Sequence, residues 1–189
     1  ASACSTIDFW GWGMNRTIAP MSAKVFALIS VILTVLALIA CLGLIFLQDV
    51  LKGAFSSASE IRDIFVFPII SFLVHFLPAL VMAALCVAVL ADGRKPVWTK
   101  GKAMAFAAVM AIVYVLFSLL ETPAATLEAQ LMARQGSYTA VTYSIVCSML
   151  NWGYSLLRYS SIAAFVGISV LAYQAAADAK AQMPQYMGG

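Results

Sequence analysis

The chain has 189 residues, of which 63% are hydrophobic and only 10% are charged. Soluble domains average about 45–50% apolar and about 25% charged residues, so this composition departs from the soluble norm in both respects. The net charge of +3 comes without a dense basic run, which argues against a nucleic-acid-binding surface. The composition predicts an all-α integral membrane protein, with residues 1–189 forming a single transmembrane domain.

Four apolar segments are long enough to cross a bilayer, whose hydrocarbon core of roughly 30 Å needs about 20 helical residues. The fourth segment belongs to a longer stretch, residues 139–177, that contains one charge and no proline. We therefore expect a four-helix transmembrane bundle whose fourth helix is either long or kinked near residues 151–153. The predicted spans cover about residues 25–47, 64–91, 103–120 and 158–177.

Three further segments combine apolar and polar residues in a way that is typical of the membrane interface. Residues 8–20 place tryptophan beside glycine, residues 49–63 place apolar side chains among polar ones, and residues 139–157 precede the last span. Because indole rings and amphipathic helices favour the headgroup region, we expect these segments to lie along the membrane surface. For residues 49–63 a plain connecting loop is the alternative.

The charges between the spans predict the orientation. The connection 92–102 carries four positive charges and one negative charge, whereas the connections 48–63 and 121–138 are slightly acidic. Since positive charge is retained on the cytoplasmic side, both termini should be cytoplasmic. The expected location is the cell membrane, as a multi-pass protein, and more specifically the inner membrane of a bacterium.

The only histidine, His75, lies in the second span near the expected middle of the bilayer. Ser71 precedes it by one helical turn, and Pro78 removes the helical hydrogen bond to the Val74 carbonyl. We expect Ser71 and His75 to form an intramembrane polar site, in which the ring binds a local carbonyl or a neighbouring helix. The opposite face of this helix, which carries Phe72 and Phe76, is expected to face lipid.

Two other roles remain open for His75. It would serve as an axial ligand of haem b if a partner subunit or a methionine supplied the second ligand. It would serve as a proton carrier because imidazole titrates near neutrality. The structural role is the leading interpretation, so the sequence predicts no cofactor, with haem b as the alternative.

A polar stripe runs along the first half of the fourth helix at intervals of 4, 3, 4 and 3 residues, and it ends in a cation. One explanation is a wet groove or a seam with a partner helix, in which the cation meets a carboxylate or a lipid phosphate. The other is a face turned toward headgroup water, with the arginine reaching to the interface. The polar stripe consists of Ser144, Ser148, Asn151, Ser155 and Arg158.

Small residues at four-residue spacing predict close helix packing, since lipid provides no hydrophobic force for association. The third span contains Ala103, Ala107 and Ala111 at this spacing, and the fourth contains Ala163 and Gly167. We expect these residues to bring the third and fourth helices together.

The sequence lacks a nucleotide-binding loop, a serine-nucleophile motif, a zinc-protease motif and paired carboxylates within the spans, and its cysteines form no CxxC pair. We expect neither an enzyme nor a metal site. The leading interpretation is a non-catalytic accessory subunit that packs against partner chains and lipids in a larger membrane complex, as a homo- or hetero-oligomer. The alternatives are a transport component for ions, protons or small solutes, and a haem-b-binding membrane anchor of an electron-transfer complex.

Overall fold

The computed structural model describes residues 16–51, 66–92, 97–120 and 139–181. These residues form four long helices and one pair of short strands. The strands β1 (Arg16–Thr17) and β2 (Trp98–Thr99) pair antiparallel, with Arg16 opposite Thr99. The helices are α1 (Met21–Leu51), α2 (Phe67–Ala91), α3 (Lys100–Leu119) and α4 (Thr139–Ala181).

Each of the four helices is long and apolar enough to cross a membrane, which confirms the prediction of an all-helical protein with four candidate spans. Most of the predicted interfacial segments 8–20 and 49–63 lies outside the described residues. The stretches that meet both conditions of length and hydropathy are Met21–Val50, Ile69–Ala91, Lys100–Leu119 and Ser148–Ala181.

The fourth helix is long and unbroken, which is one of the two alternatives predicted for it; the other was a kink near residues 151–153. α4 has 43 residues and is helical throughout residues 151–153, so it measures about 65 Å at a rise of 1.5 Å per residue. Gly153 is buried there, and a Cβ atom at this position would lie 2.5 Å from the ring of Phe72. The glycine therefore makes room for a neighbouring aromatic ring within an unbroken helix.

The ring that packs on Gly153 corrects a prediction about α2. Phe72 is 1% exposed and Phe76 is 9% exposed, so both side chains point into the bundle and the expectation that they face lipid is wrong. The physical reason is the missing side chain of Gly153, which leaves a space on α4 that an aromatic ring from α2 fills.

The most extensive contact in the bundle joins α1 to α4. Gly167 lies against Ala23 and Ala27, and Met149 lies against Gly43, so the two helices run antiparallel. The buried residues of α1 recur at alternating intervals of four and three, the heptad spacing of left-handed helix packing. They are Ala23, Ala27, Ser30, Thr34, Ala37, Cys41 and Leu44.

Gly167, one of the small residues that the sequence assigned to a contact between α3 and α4, is placed differently. Gly167 packs on α1, where a Cβ atom would lie 3.1 Å from the Ala23 carbonyl oxygen and 3.1 Å from the Cβ of Phe26. Ala163 and Ala103 are buried, and Ala107 and Ala111 are half-buried. The contact between α3 and α4 includes a pair of stacked rings, Tyr114 and Phe165, with centroids 5.1 Å apart.

Three buried hydroxyl groups connect α1 to α4, and we call Ser30, Thr34 and Ser160 the hydroxyl cluster. Ser160 Oγ donates to the Ser30 carbonyl over 2.9 Å, and the Thr34 hydroxyl oxygen lies 2.6 Å from Ser160 Oγ. The Ser30 and Ser160 hydroxyl oxygens are 3.1 Å apart. Because a hydroxyl group in an apolar interior needs a partner, these bonds fix the register of α1 against α4.

We predict that Gly167→Ala destabilises the bundle by about 1–3 kcal/mol, because the new methyl group would press on the backbone of α1. The matched control is Gly43→Ala, where the methyl group would meet only the flexible end of Met149. Thermal unfolding in detergent measures both variants. Equal unfolding temperatures for the two would contradict the close contact at Gly167.

We predict that Ser160→Ala lowers the free energy of unfolding by about 0.6–2 kcal/mol, because it removes bonds between two helices. Ser161→Ala is the control, since Ser161 is equally buried but its hydroxyl donates to the Leu157 carbonyl of its own helix. Its effect should be smaller in the same unfolding measurement. A larger loss for Ser161→Ala would argue against the hydroxyl cluster as the link between α1 and α4.

Candidate functional site

His75 connects α2 to the C-terminal end of α3. Its side chain is 2% exposed, and Nδ1 lies 2.7 Å from the Ser71 carbonyl oxygen one turn earlier in α2. Nε2 hydrogen-bonds the carbonyl oxygen of Leu120, the C-cap residue of α3. The last carbonyls of a helix have no donor within that helix, and an apolar surrounding offers no water to replace it. His75 therefore satisfies an acceptor that α3 cannot satisfy by itself.

The two carbonyl partners limit the hydrogen bonds that His75 can make. A carbonyl oxygen only accepts, and a neutral imidazole carries one N–H group, so a neutral ring donates to either Ser71 or Leu120. An imidazolium ring carries two N–H groups and donates to both. Both nitrogens are thus directed at the backbone of this chain, whichever proton arrangement the ring adopts.

Tyr154 of α4 completes the buried polar site around His75. The ring centroids of His75 and Tyr154 are 4.9 Å apart in an edge-on arrangement, and Ser71 Oγ lies 3.2 Å from the Tyr154 hydroxyl oxygen. The tilted ring of Phe72 closes the site at 5.5 Å from the Tyr154 ring. Three helices therefore meet at His75. In the sequence, Tyr154 appears only as an aromatic residue beside the polar stripe, so nothing there connects it to His75.

These contacts also determine the depth of His75 in the bundle. Leu120 directly follows the candidate span Lys100–Leu119, so His75 is level with one end of that span. The prediction that His75 lies near the middle of the bilayer was based on the length of the second span alone. The difference arises because α2 extends past the end of α3.

The haem alternative does not fit this geometry. Iron binds the lone pair of an imidazole nitrogen, and both nitrogens of His75 are directed at backbone carbonyls. Within the part of the chain that the structure describes, no group of three or more histidine, cysteine, aspartate or glutamate side chains is placed to hold a metal ion.

The polar stripe lies on the outside of the bundle. The side chains of Ser148, Asn151, Ser155 and Arg158 are all exposed, whereas the side chain of Ser144 lies outside the described part of the structure. The opposite face of α4 is buried against α1 and α2. α4 therefore has an inner face that completes the fold of this chain and an outer face that its described residues leave uncovered.

The structure does not bring the polar stripe together with His75, because the stripe faces outward and His75 points inward. Two contacts show how far along the bundle His75 and the stripe lie. Leu120 hydrogen-bonds His75, and His75 packs on Tyr154, which belongs to the same part of α4 as the stripe. The end of α3 is thus level with the middle of the stripe. Ser148 and Asn151 lie beyond that level, and Arg158 lies one turn toward the candidate span of α3.

Comparisons with protein-family models, curated proteins and solved structures find no match to this chain. The fold itself defines a class: an all-helical bundle with four helices long and apolar enough to span a membrane, which is compatible with a multi-pass membrane protein.

We predict that His75→Leu destabilises the bundle by about 1–3 kcal/mol, because the Leu120 carbonyl would lose its donor. His75→Gln keeps an N–H donor at similar reach and should recover part of this loss. The unfolding temperature in detergent provides the measurement. If the leucine and glutamine variants were equally stable, the bond to Leu120 would have no part in holding α3.

Proposed function

We propose that this chain is a non-catalytic subunit of a membrane complex and that the outer face of α4 contacts a partner chain. The observation that supports this proposal is the exposure of the polar stripe, notably Ser148, Asn151 and Ser155. Polar side chains at helical spacing connect membrane helices by hydrogen bonds, and their exposure leaves these residues available for such bonds.

The inner face of α4 explains why the stripe is available for such a partner. The packing of α4 within this chain uses residues on its other side, such as Gly153, Ser160 and Gly167. Asn151 and Ser155 therefore take no part in the helix packing that the described residues show. Large aromatic side chains flank the stripe as well, with Trp152 at 72% and Tyr159 at 62% exposure. Aromatic residues at protein interfaces combine large contact area with a polar group.

The translocation alternative would require His75 to share an aqueous path with the polar stripe. His75 is enclosed by three helices, and the stripe faces away from it. We therefore propose the role of a subunit, and an enzymatic role does not enter the proposal.

We also propose that the end of the bundle carrying β1 and β2 faces the cytoplasm. The strand pair places Arg16 beside Thr99, and the antiparallel course of α4 brings Lys180 to the same end. Lys100 and Lys102 begin α3 there. This clustering supports cytoplasmic termini and a location in the cell membrane, for which a bacterial inner membrane is one instance.

The test exchanges polar for apolar residues on the stripe. We predict that the double variant Ser148→Leu, Ser155→Leu loses its partner, because leucine suits lipid but offers no hydrogen bond to a polar helix. The mass of the complex, measured by native mass spectrometry after extraction in mild detergent, should fall to that of the free chain.

The control is Ser118→Leu, which changes an exposed serine in the last turn of α3 and should leave the mass of the complex unchanged. A stripe variant that kept the full mass and composition of the complex would overturn the proposal. So would a wild-type chain that is monomeric in native membranes by chemical cross-linking.

A further inference from the structure

The face of α4 that carries the polar stripe is covered by α3 only as far as α3 extends. Beyond Arg158 the intervals of four and three continue to Ile162 and Phe165. The ring of Phe165 stacks on Tyr114 of α3, with centroids 5.1 Å apart. Because α3 ends at Leu119, the larger part of the stripe lies past its end. The described residues thus supply a helical neighbour for one part of this face and none for the stripe.

α1 continues past the end of α3 and shows how deep the stripe lies. A Cβ atom at Gly43 would lie 3.0 Å from the end of Met149, which belongs to the same two turns of α4 as the stripe. Gly43 is part of an uncharged run, residues 25–47, in which Leu42 and Phe46 are exposed near this level. An exposed apolar helix surface of this length lies in hydrocarbon. The stripe beside it therefore lies at hydrocarbon depth rather than in headgroup water.

This depth determines what kind of neighbour the stripe requires. Ser148, Asn151 and Ser155 are exposed among the described residues, and lipid tails offer them no hydrogen bond. Intervals of four and three keep one face of a helix against a second helix that crosses it at a small angle. Small side chains such as serine also let two helix backbones approach closely. The neighbour is therefore a membrane-embedded helix with polar side chains.

The chemistry of the stripe matches that of an identical stripe. A serine hydroxyl and an asparagine amide each donate and accept hydrogen bonds, so each can pair with its own kind. Two copies of a chain with the same orientation in the membrane are related by a two-fold axis along the membrane normal. Their α4 helices then run parallel, and Asn151 lies opposite the partner's Asn151. Both amides are satisfied in such a pair.

Arg158 marks the limit of this contact. Two arginines would repel each other, but Arg158 already has an interaction within its own chain. The end of α3 also reaches α4 at about this level, so two copies of α4 must diverge toward Arg158. The contact is thus centred on the stretch from Ser148 to Ser155.

We propose that the helix that packs on the polar stripe is α4 of a second copy of this chain, running parallel to the first. The proposal rests on the proposed function and names its partner. Asn151 forms the central amide pair, and Ser148 and Ser155 flank it at intervals of three and four residues on either side. The exposed ring of Trp152, which adjoins Asn151, covers the edge of the contact.

The first experiment forms disulfides between copies in native membranes. Cys4 and Cys147 are replaced by alanine, whereas the buried Cys41 and Cys86 are kept. In this background Ser148→Cys and Ser155→Cys should each shift from the mass of one chain to that of two on oxidation. The reason is that identical residues in a close parallel contact lie within the bridging limit of about 7 Å between Cα atoms.

The matched control is Ser118→Cys, which places the thiol at an exposed serine in the last turn of α3 and should keep the mass of one chain. Equal cross-linking of Ser118→Cys and the stripe variants would indicate random collision and overturn the proposal. Labelling of the stripe cysteines by a membrane-impermeant maleimide would place them in water and overturn it as well.

The second experiment measures energy transfer between donor- and acceptor-labelled copies in liposomes. Asn151→Leu should weaken association about three- to tenfold, because the amide pair is lost, whereas Asn151→Gln keeps an amide and should retain most of the affinity. Ser118→Leu should have no effect.

The two proposals fail in different ways. Stripe cysteines that do not cross-link, in a complex whose mass still falls in the double leucine variant, would overturn the second copy and support a different partner chain. A protein with the mass of one chain in every measurement would overturn both proposals.

Discussion

The close antiparallel contact between α1 and α4 is the constraint on which the rest of the bundle depends. At Gly167 the backbones of the two helices approach so closely that a methyl group would meet the carbonyl oxygen of Ala23 at 3.1 Å. In lipid such an approach is stabilised by dispersion and hydrogen bonds, because apolar side chains gain nothing by leaving hydrocarbon for a protein neighbour. The hydroxyl cluster adds the hydrogen bonds, one helical turn or more along the same seam.

Once α1 covers one face of α4, the orientation of α4 is decided. Its inner face receives the ring of Phe72 at Gly153 and the polar site around His75 at Tyr154. Its outer face then carries the polar stripe, because residues 148, 151, 155 and 158 lie on the other side of the same helix. The availability of the stripe is therefore a consequence of the packing between α1 and α4.

Most buried polar groups among the described residues, at the helix ends and inside the bundle, have a hydrogen-bond partner within this chain. His75 supplies a donor to the C-terminal end of α3, and Ser160 donates to a carbonyl of α1. The exceptions among the described residues are the indole N–H of Trp98 and one carboxylate oxygen of Asp92, which are buried without a hydrogen-bond partner.

The sequence identified most residues of the candidate site but not the contacts between them. The sequence singled out His75, Ser71 and the polar stripe, and it assigned Gly167 to helix packing without identifying α1 as the neighbour. The alternating intervals of four and three in α1, from Ala23 to Cys41, were visible as a pattern of small residues and would have identified that neighbour as a packing helix. Tyr154 had no comparable signal, because its partner His75 lies 79 positions away.

The amino-acid sequence by itself determined that this protein has four helices able to span a membrane, and it left the fourth as either long or kinked. Apolar length and the absence of breakers are properties of one segment at a time, and they suffice for that conclusion. Only the tertiary structure decided that Phe72 points inward, that Gly167 meets α1 and that the end of α3 lies at His75. Those contacts depend on the rotation and register of each helix against its neighbours. In uniformly apolar segments, hydropathy does not encode them.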